Sequence, residues 1–181
     1  MSLITKTSNL LSFGEFRMAI YSACESYRYQ LGIWFQPDTL EKTAQGGIPK
    51  GRLIQFIGLN PSTATEMCDD NTVRRCKNWA KAWGYDGMIM TNAFAYRATD
   101  PKHMKAHHEP VGPNNDEQLR IAHESSVEHV ACWGNDGTLR DRSQALREMF
   151  RGTLKSFGLT KAGEPLHPLY LPNKIELINY H

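Results

Sequence analysis

The sequence predicts an α/β fold, specifically a three-layer α/β/α sandwich with a mainly parallel central sheet. Apolar runs typical of strands alternate along the chain with segments of helical periodicity, and this alternation is typical of parallel sheets with helical connections. Of the 181 residues, 40% are hydrophobic and 22% are charged, as expected for a globular protein. No repeat or long linker divides the chain, so we expect a single domain over 1–181, with an edge hairpin at about 18–35 and a core at about 52–172.

The N-terminal part predicts an antiparallel hairpin. Residues 18–23 and 27–35 are rich in aromatic and β-branched side chains, with partial alternation. The Gly-rich segment 45–51 then predicts a loop. After this loop, residues 53–59 form a nearly continuous apolar run, which is typical of a strand covered on both faces.

The remaining elements follow in alternation. Val73, Cys76, Ala80 and Trp83 recur at helical spacing, and Gly84 ends that helix. The later pattern predicts strands over 88–92 and 129–133, and helices over about 115–123 and 139–150. We expect the tryptophans in this region to pack in the core.

Composition excludes several classes of protein. Lys and Arg total 21 against 19 for Asp and Glu, which gives a net charge of +2. This charge is too near neutral for a polybasic coat protein, but it is compatible with a local basic groove. No apolar run approaches the roughly 20 residues of a membrane span, and the polar start lacks a secretory core. The four cysteines form no C-x-x-C pair. We therefore expect reduced buried thiols and a cytoplasmic location in preference to a zinc knuckle or a disulfide framework. We expect neither a metal nor a cofactor, and the sequence has no Gly-rich phosphate loop of the P-loop or dinucleotide type.

Ligands of such sheets bind beyond the carboxyl ends of the strands. The segments that follow the predicted strands are 60–62, 92–97 and 134–136. In the first of them, Gly58 permits close backbone approach and Pro61 stiffens the loop, so that the Asn60 side chain has a defined direction. An Asn amide holds a water or a base edge through one acceptor and two donors. An Asx turn at the strand end explains the same residues.

Two more polar residues have open interpretations. Asn92 ends an otherwise apolar strand, where it either caps the next loop or reads the edge of a nucleobase. His167 precedes a proline, which favours an extended backbone, and an isolated His-Pro pair is more often structural than catalytic.

The acidic pair Asp69 and Asp70 has two interpretations. Asp70 either caps the helix that begins near Thr72, which we favour, or lies in a pocket and recognises an amine-bearing or otherwise modified base. We expect Asp69 to be solvated. The His103, His107 and His108 group we interpret as a solvated loop in preference to a metal cluster.

Four motifs together resemble the uracil-DNA glycosylase superfamily in order and approximate spacing: G-L-N-P-S at 58–62, T-N-A-F-A-Y-R at 91–97, C-W-G at 132–134 and H-P-L-Y-L at 167–171. More closely, segments 60–64, 69–76, 83–85, 97–101 and 167–172 resemble an uncharacterised family of bacteria and their phages, over roughly 20–172.

The glycosylase resemblance implies roles for individual residues. His167 would donate a hydrogen bond to a base oxygen, and Asn60 would orient the attacking water. The implied base-binding residues are Gly58, Leu59, Pro61, Ser62, Asp70, Asn92 and Phe94. Arg74, Arg97 and Lys161 would hold the nucleic-acid backbone, and Leu169 or Leu171 would wedge into the base stack.

The sequence also departs from the glycosylase pattern. The glycosylases usually place an aromatic residue that stacks on the base between the first two motifs, but the corresponding stretch here, 69–73, has none. Ser62 replaces a small Gly, Leu169 replaces a Ser or Ala, and the cysteine spacing of an iron–sulfur cluster is missing. These departures concern the identity of the base more than the fold.

The sequence thus predicts a metal-independent N-glycosidase that acts on a modified or mismatched base, with DNA as the favoured partner. A non-catalytic binder of a base, nucleotide or modified DNA is the first alternative. A transferase or hydrolase acting on modified bases is the second.

Overall fold

A computed structural model describes residues 2–10, 14–37, 49–62 and 64–181. The predicted loop at 45–51 lies mostly outside these residues. The described strands are β1 Leu3–Leu10, β2 Glu15–Ser22, β3 Arg28–Phe35, β4 Leu53–Gly58, β5 Gly87–Asn92, β6 Glu128–Ala131, β7 Leu154–Ser156 and β8 Ile178–Asn179. The described helices are α1 Asn71–Ala82, α2 Pro101–Ala106, α3 Asn115–Glu124 and α4 Arg142–Met149, the last preceded by a 3₁₀ segment, Asn135–Asp141.

The strands form one mixed sheet in the order β1-β2-β3-β5-β4-β6-β7-β8. The pairs β4–β5, β4–β6 and β6–β7 are parallel, whereas β1–β2, β2–β3, β3–β5 and β7–β8 are antiparallel. The prediction of a mainly parallel sheet is therefore wrong, and the fold is α/β with a mixed sheet. The reason is the N-terminal third, where short connections join successive strands and such connections produce antiparallel neighbours.

The predicted hairpin corresponds to β2 and β3, but it does not form the edge of the sheet. Strand β1 pairs with the outer side of β2, in a register that runs from Leu3 opposite Ser22 to Thr7 opposite Met18 and beyond. Its sequence, LITKTSNL, contains few large apolar residues, as suits an edge strand with solvent beside it. Because of this polar character, the sequence pattern does not predict the strand.

Strand β4 is fully buried, as its continuous apolar run predicts. Ile54 and Phe56 pack with Val73 and Cys76 of α1 in one apolar cluster. Ile57 belongs to a second cluster, to which α3 contributes Leu119 and α4 contributes Leu146. Side chains of one strand alternate between faces, so helical residues cover β4 from both sides.

Helix α1 is anchored at its start by buried charges. Asp69 lies 2.8 Å from Arg17 and 2.5 Å from Lys77, and Glu15 lies 2.6 Å from Arg17. The prediction that Asp69 is solvated is therefore wrong: its carboxylate forms ion pairs with Arg17 and Lys77. The sequence shows no sign of this network, because its basic partners are distant in the chain. Arg17 lies on β2, and Lys77 lies in α1, eight residues after Asp69.

The tryptophans pack in the apolar clusters, as predicted. Trp79 and Trp133 are buried, and Trp83 packs against the cluster around Phe56. In the described ranges, no helix is both long enough and apolar enough to cross a membrane. Within the same ranges, no three His, Cys, Asp or Glu side chains are grouped as metal ligands.

Candidate active site

A cavity of about 370 Å³ opens at the carboxyl ends of β4 and β5. Strand β4 and the loop after it contribute Gly58, Leu59, Asn60 and Ser62, and β5 contributes Met90 and Asn92. The start of α1 adds Asp70, and the C-terminal loop adds His167 and Leu169. The structure thus brings Asn60, Asn92 and His167, which are far apart in the chain, to a common cavity.

The Asn60 amide is held in one orientation. Its Nδ2 donates to the Ala98 carbonyl at 2.8 Å and to the Pro61 carbonyl at 3.1 Å. Both amide hydrogens are engaged, so Oδ1 is the end left to accept a hydrogen bond. No donor contacts Asn60 Oδ1 within the described part of the chain. Asn60 therefore offers the cavity an acceptor with a fixed position.

Asn92 is 2% exposed, and its Nδ2 has no acceptor among the described residues. Its backbone carbonyl accepts a hydrogen bond from Asn115 at 3.0 Å, which fixes the end of β5. A Cβ atom on Gly58 would lie 2.9 Å from Asn92 Oδ1 and 2.7 Å from Met90 Cε. Gly58 is thus required for the close approach of β4 to the Asn92 amide. An unpaired buried amide is costly, and a ligand in the cavity would satisfy it.

His167 is positioned by the chain on either side of it. Gly134, at φ 70° after β6, donates its N–H to the Pro165 carbonyl at 3.0 Å, which ties this loop to the sheet. The backbone N–H of Leu169 donates to His167 Nδ1 at 3.3 Å. Burial lowers the pKa of His167, and the nearby Asp70 partly opposes this shift. The ring is therefore neutral near pH 7 with its proton on Nε2, because Nδ1 accepts from Leu169.

Asp70 is the N-cap of α1, the interpretation that the sequence favoured. Its Oδ1 accepts from the Val73 N–H at 2.8 Å. The same residue lines the cavity, so its negative charge also faces the ligand space and His167.

Arg28, at the start of β3, also lines the cavity, and the sequence analysis missed it. The side chain is 2% exposed, and its Nη1 donates to the Ala64 carbonyl. A single Arg in an aromatic-rich strand has no motif around it, so the sequence offers no signal of its role.

A model of a protein family described as DUF1643, a protein of unknown function, matches residues 39–169. This match covers more than half of the chain. The chain belongs to the DUF1643 family. No curated protein and no solved structure matches it.

The DUF1643 match includes the strand ends, the start of α1 and the His167 loop, so it contains most of the cavity wall. Arg28 lies before it, on β3. In this DUF1643 protein, the N-terminal strands therefore complete a site whose other walls belong to the family region.

Several predicted site residues do not line the cavity. Phe94, a predicted base-binding residue, is fully buried in the cluster with Leu119 and does not line the cavity. Leu171 packs against the cluster of α1, and its carbonyl accepts from Arg75, so it is not free to wedge into a base stack. Neither side chain lines the cavity, and the sequence gives no sign of this because it does not show which side of a loop meets the core.

The remaining predicted site residues, Pro61 for the base and three basic residues for the nucleic-acid backbone, lie in different places. Pro61 is buried and does not line the cavity. Arg97 lies in a neighbouring groove that shares Ser62, Ala98 and Thr99 with the cavity wall. Arg74 is exposed on the first turn of α1 and bonds Asn71, which lines the cavity. Lys161 is exposed in the turn after β7 and lines neither the cavity nor the groove.

Proposed function

We propose that this protein recognises a nucleobase and hydrolyses the N-glycosidic bond of a modified or mismatched base in DNA, as a metal-independent enzyme similar to uracil-DNA glycosylases. The observation that carries the proposal is the shared cavity of Asn60, Asn92 and His167, each with a hydrogen-bonding atom available to a ligand. The proposed similarity to uracil-DNA glycosylases includes the scaffold, in which helices lie on both faces of the sheet and form three layers.

The polarity of each group fits the reaction. Water forms a bond from its oxygen to C1′ of the sugar, and the bond from C1′ to the base nitrogen breaks with its electron pair going to the base. Negative charge develops on the base, so a donor at a base oxygen lowers the barrier. In the proposal His167 Nε2–H is that donor, and the proton lost by water returns to the base through solvent.

Asn60 fits the role of orienting the water. Its Oδ1 accepts one water hydrogen and directs the water oxygen, while Nδ2 stays bound to the Ala98 and Pro61 carbonyls. An amide takes up no proton, so we expect slower turnover than a carboxylate would give. Asn92 would read the donor and acceptor edge of the base through its unpaired Nδ2.

Nucleic acid would reach the cavity through the adjoining groove. Arg97 lines this groove and donates to the Glu25 carbonyl at 3.1 Å, which holds its side chain beside Ser62 and Thr99. The base would leave the stack and enter the cavity, at a cost of a few kcal/mol. Leu169, which lines the cavity, would occupy the space that the base leaves.

The test is formation of abasic sites in oligonucleotides that carry uracil, mismatches or modified pyrimidines. We expect product with at least one substrate, and loss of product in Asn60→Ala and His167→Ala. Arg120→Gln, an exposed change on α3 away from the cavity, serves as the matched surface control and keeps the activity.

A non-catalytic binding module is the second candidate, because the group proposed to hold the water is an amide that takes up no proton. Tight binding of a base-containing oligonucleotide, with no abasic product from any substrate and the same dependence on Asn92 and His167, would favour the binder.

A further inference from the structure

Arg28 is a buried cation in the wall of the proposed base-binding cavity. Its side chain is 2% exposed, and its backbone N–H donates to the Ala95 carbonyl at 3.0 Å, which fixes it beside the end of β5. Neither the proposed reaction nor the glycosylase resemblance gives this residue a role.

The guanidinium lacks the partners that a buried Arg usually has. Nη1 donates to the Ala64 carbonyl, but Nε has no acceptor among the described residues. Across those residues, no carboxylate lies within 4.0 Å of the Arg28 nitrogens, as a salt bridge would require.

The acidic residues whose charges act on Arg28 are Glu66 and Asp70, and both form hydrogen bonds with other groups. Glu66 accepts from the Tyr21 hydroxyl at 2.9 Å, and Asp70 accepts from the start of α1 with Oδ1. Burial lowers the pKa of Arg28 to about 10, with the nearby Tyr21 and Asp70 opposing the shift. The group therefore stays charged at neutral pH, and its charge is not neutralised by a direct ion pair.

Two other groups at the cavity also favour an electron-rich ligand. Asn92 Nδ2 and His167 Nε2–H are both donors. A guanidinium that is partly free to donate binds carboxylate and phosphate oxygens better than any neutral group. Asp70 is the acidic residue that faces the same space, and it disfavours an anion placed close to α1.

We propose that the cavity binds an oxyanion on Arg28, carried either as a carboxylate on the base or as the phosphate of a nucleotide. This inference rests on the proposed recognition of a base and specifies its chemistry: the ligand is acidic. Arg28 is the residue that selects the acidic ligand over its neutral counterpart.

Titration calorimetry with two matched pairs of probes tests the proposal. The first pair is 6-carboxyuracil (orotate) and uracil, and the second is uridine 5′-monophosphate and uridine. We expect one acidic probe to bind more tightly than its neutral counterpart by roughly tenfold to a hundredfold, as for a charge-assisted hydrogen bond. A preference within the first pair identifies a base carboxylate, and a preference within the second identifies a phosphate.

Substitution of Arg28 connects the preference to this residue. Arg28→Gln should abolish the preference for the acidic probe, and the exposed Arg120→Gln should keep it. Equal affinities within both pairs, no binding of any probe, or a preference that survives in Arg28→Gln would overturn the proposal.

A measurement of stability covers the case in which Arg28→Gln does not fold. A buried charge without an ion pair carries a desolvation penalty, and removing it offsets the loss of the hydrogen bond to the Ala64 carbonyl, so Arg28→Met should melt close to the wild-type temperature. A large decrease in the melting temperature of Arg28→Met would assign Arg28 a structural role and overturn the proposal.

The two proposals fail separately. Abasic product from a neutral base without any preference for acidic probes would overturn the oxyanion site and leave the glycosidase. Arg28-dependent binding of an acidic probe without abasic product on any substrate would overturn the glycosidase and leave the oxyanion site.

Discussion

The backbone N–H of Leu169 donates to Nδ1 of His167 across 3.3 Å. This one contact determines which nitrogen of the ring holds the proton, because Nδ1 must stay unprotonated to accept. The two residues line the same cavity, so the local turn of the His-Pro loop both places the imidazole and directs an N–H donor from Nε2.

His167→Ala should lower glycosidase activity by roughly a hundredfold to a thousandfold, the typical effect of losing one donor to a developing negative charge. Single-turnover formation of abasic sites measures the effect. His103→Ala removes an exposed histidine of α2 and should leave the rate unchanged. Equal rates for wild type and His167→Ala would contradict the role of the ring as the donor.

Asn60→Asp should destabilise the protein instead of improving the site. The present amide donates to the Ala98 and Pro61 carbonyls, whereas a carboxylate at the same place would face two carbonyl oxygens. We expect a loss of about 1–3 kcal/mol in the free energy of unfolding above neutral pH, measured by urea denaturation. Because protonation of the introduced carboxylate restores one donor, the loss should shrink toward acid pH. A loss that does not change with pH would contradict this account, because the destabilisation would then not come from a charged carboxylate that faces the two carbonyl oxygens.

Gly58→Ala should disturb ligand recognition more than folding. The new Cβ would lie 2.7 Å from Met90 Cε and 2.9 Å from Asn92 Oδ1. The Met90 side chain is flexible and can move, but the Asn92 amide lies at the end of a fully buried strand. We expect about 1–3 kcal/mol of destabilisation and loss of base binding.

The double variant Gly58→Ala with Met90→Ala separates these two effects. Removal of the methionine relieves the closer contact and should recover part of the thermal stability, while base binding stays impaired because the contact with Asn92 persists. Full recovery of binding in the double variant would show that the Asn92 amide is not displaced.

The strongly apolar elements could be predicted from the sequence, and the reason is physical. Strand β4 is continuous and buried, and α1 shows its apolar residues at helical spacing. The weakly patterned elements could not be predicted. Strand β1 is polar, and β7 and β8, with three and two residues, are too short to show a pattern. Asn60 and Asn92 could be placed together because parallel neighbours end at the same sheet edge, whereas only the resemblance to the glycosylases places His167 with them.

Other site features depend on packing and could not be predicted. Phe94 follows Asn92 closely, but its ring faces the core. Arg28 reaches the cavity because β3 lies next to β5, and β3 precedes the segment that matches the family. Strand order is a property of the folded sheet, so the sequence did not reveal either residue's position.

The buried His129 should cause a loss of stability in mild acid. Burial, together with the charge of His123 whose ring lies 3.6 Å away, lowers the pKa of His129 to about 4. Because the unfolded chain binds the proton with an ordinary pKa near 6.5, the folded state loses stability as pH falls from about 6.5 to 4, by about 3 kcal/mol.

Urea denaturation of wild type and His129→Gln between pH 7 and pH 4 measures this effect. The variant has no ring to protonate and should show a shallower decrease in the free energy of unfolding over that range. Parallel curves for the two proteins would contradict the assignment to His129.

The most direct test of the central claim is a crystal structure of the protein soaked with a nucleobase that it binds. We expect the base in the cavity between β4 and α1, with a base oxygen within hydrogen-bonding distance of His167 Nε2 and the base edge on the Asn92 amide. A base bound elsewhere on the protein, with the His167 and Asn92 side chains making no contact to it, would contradict the proposed site.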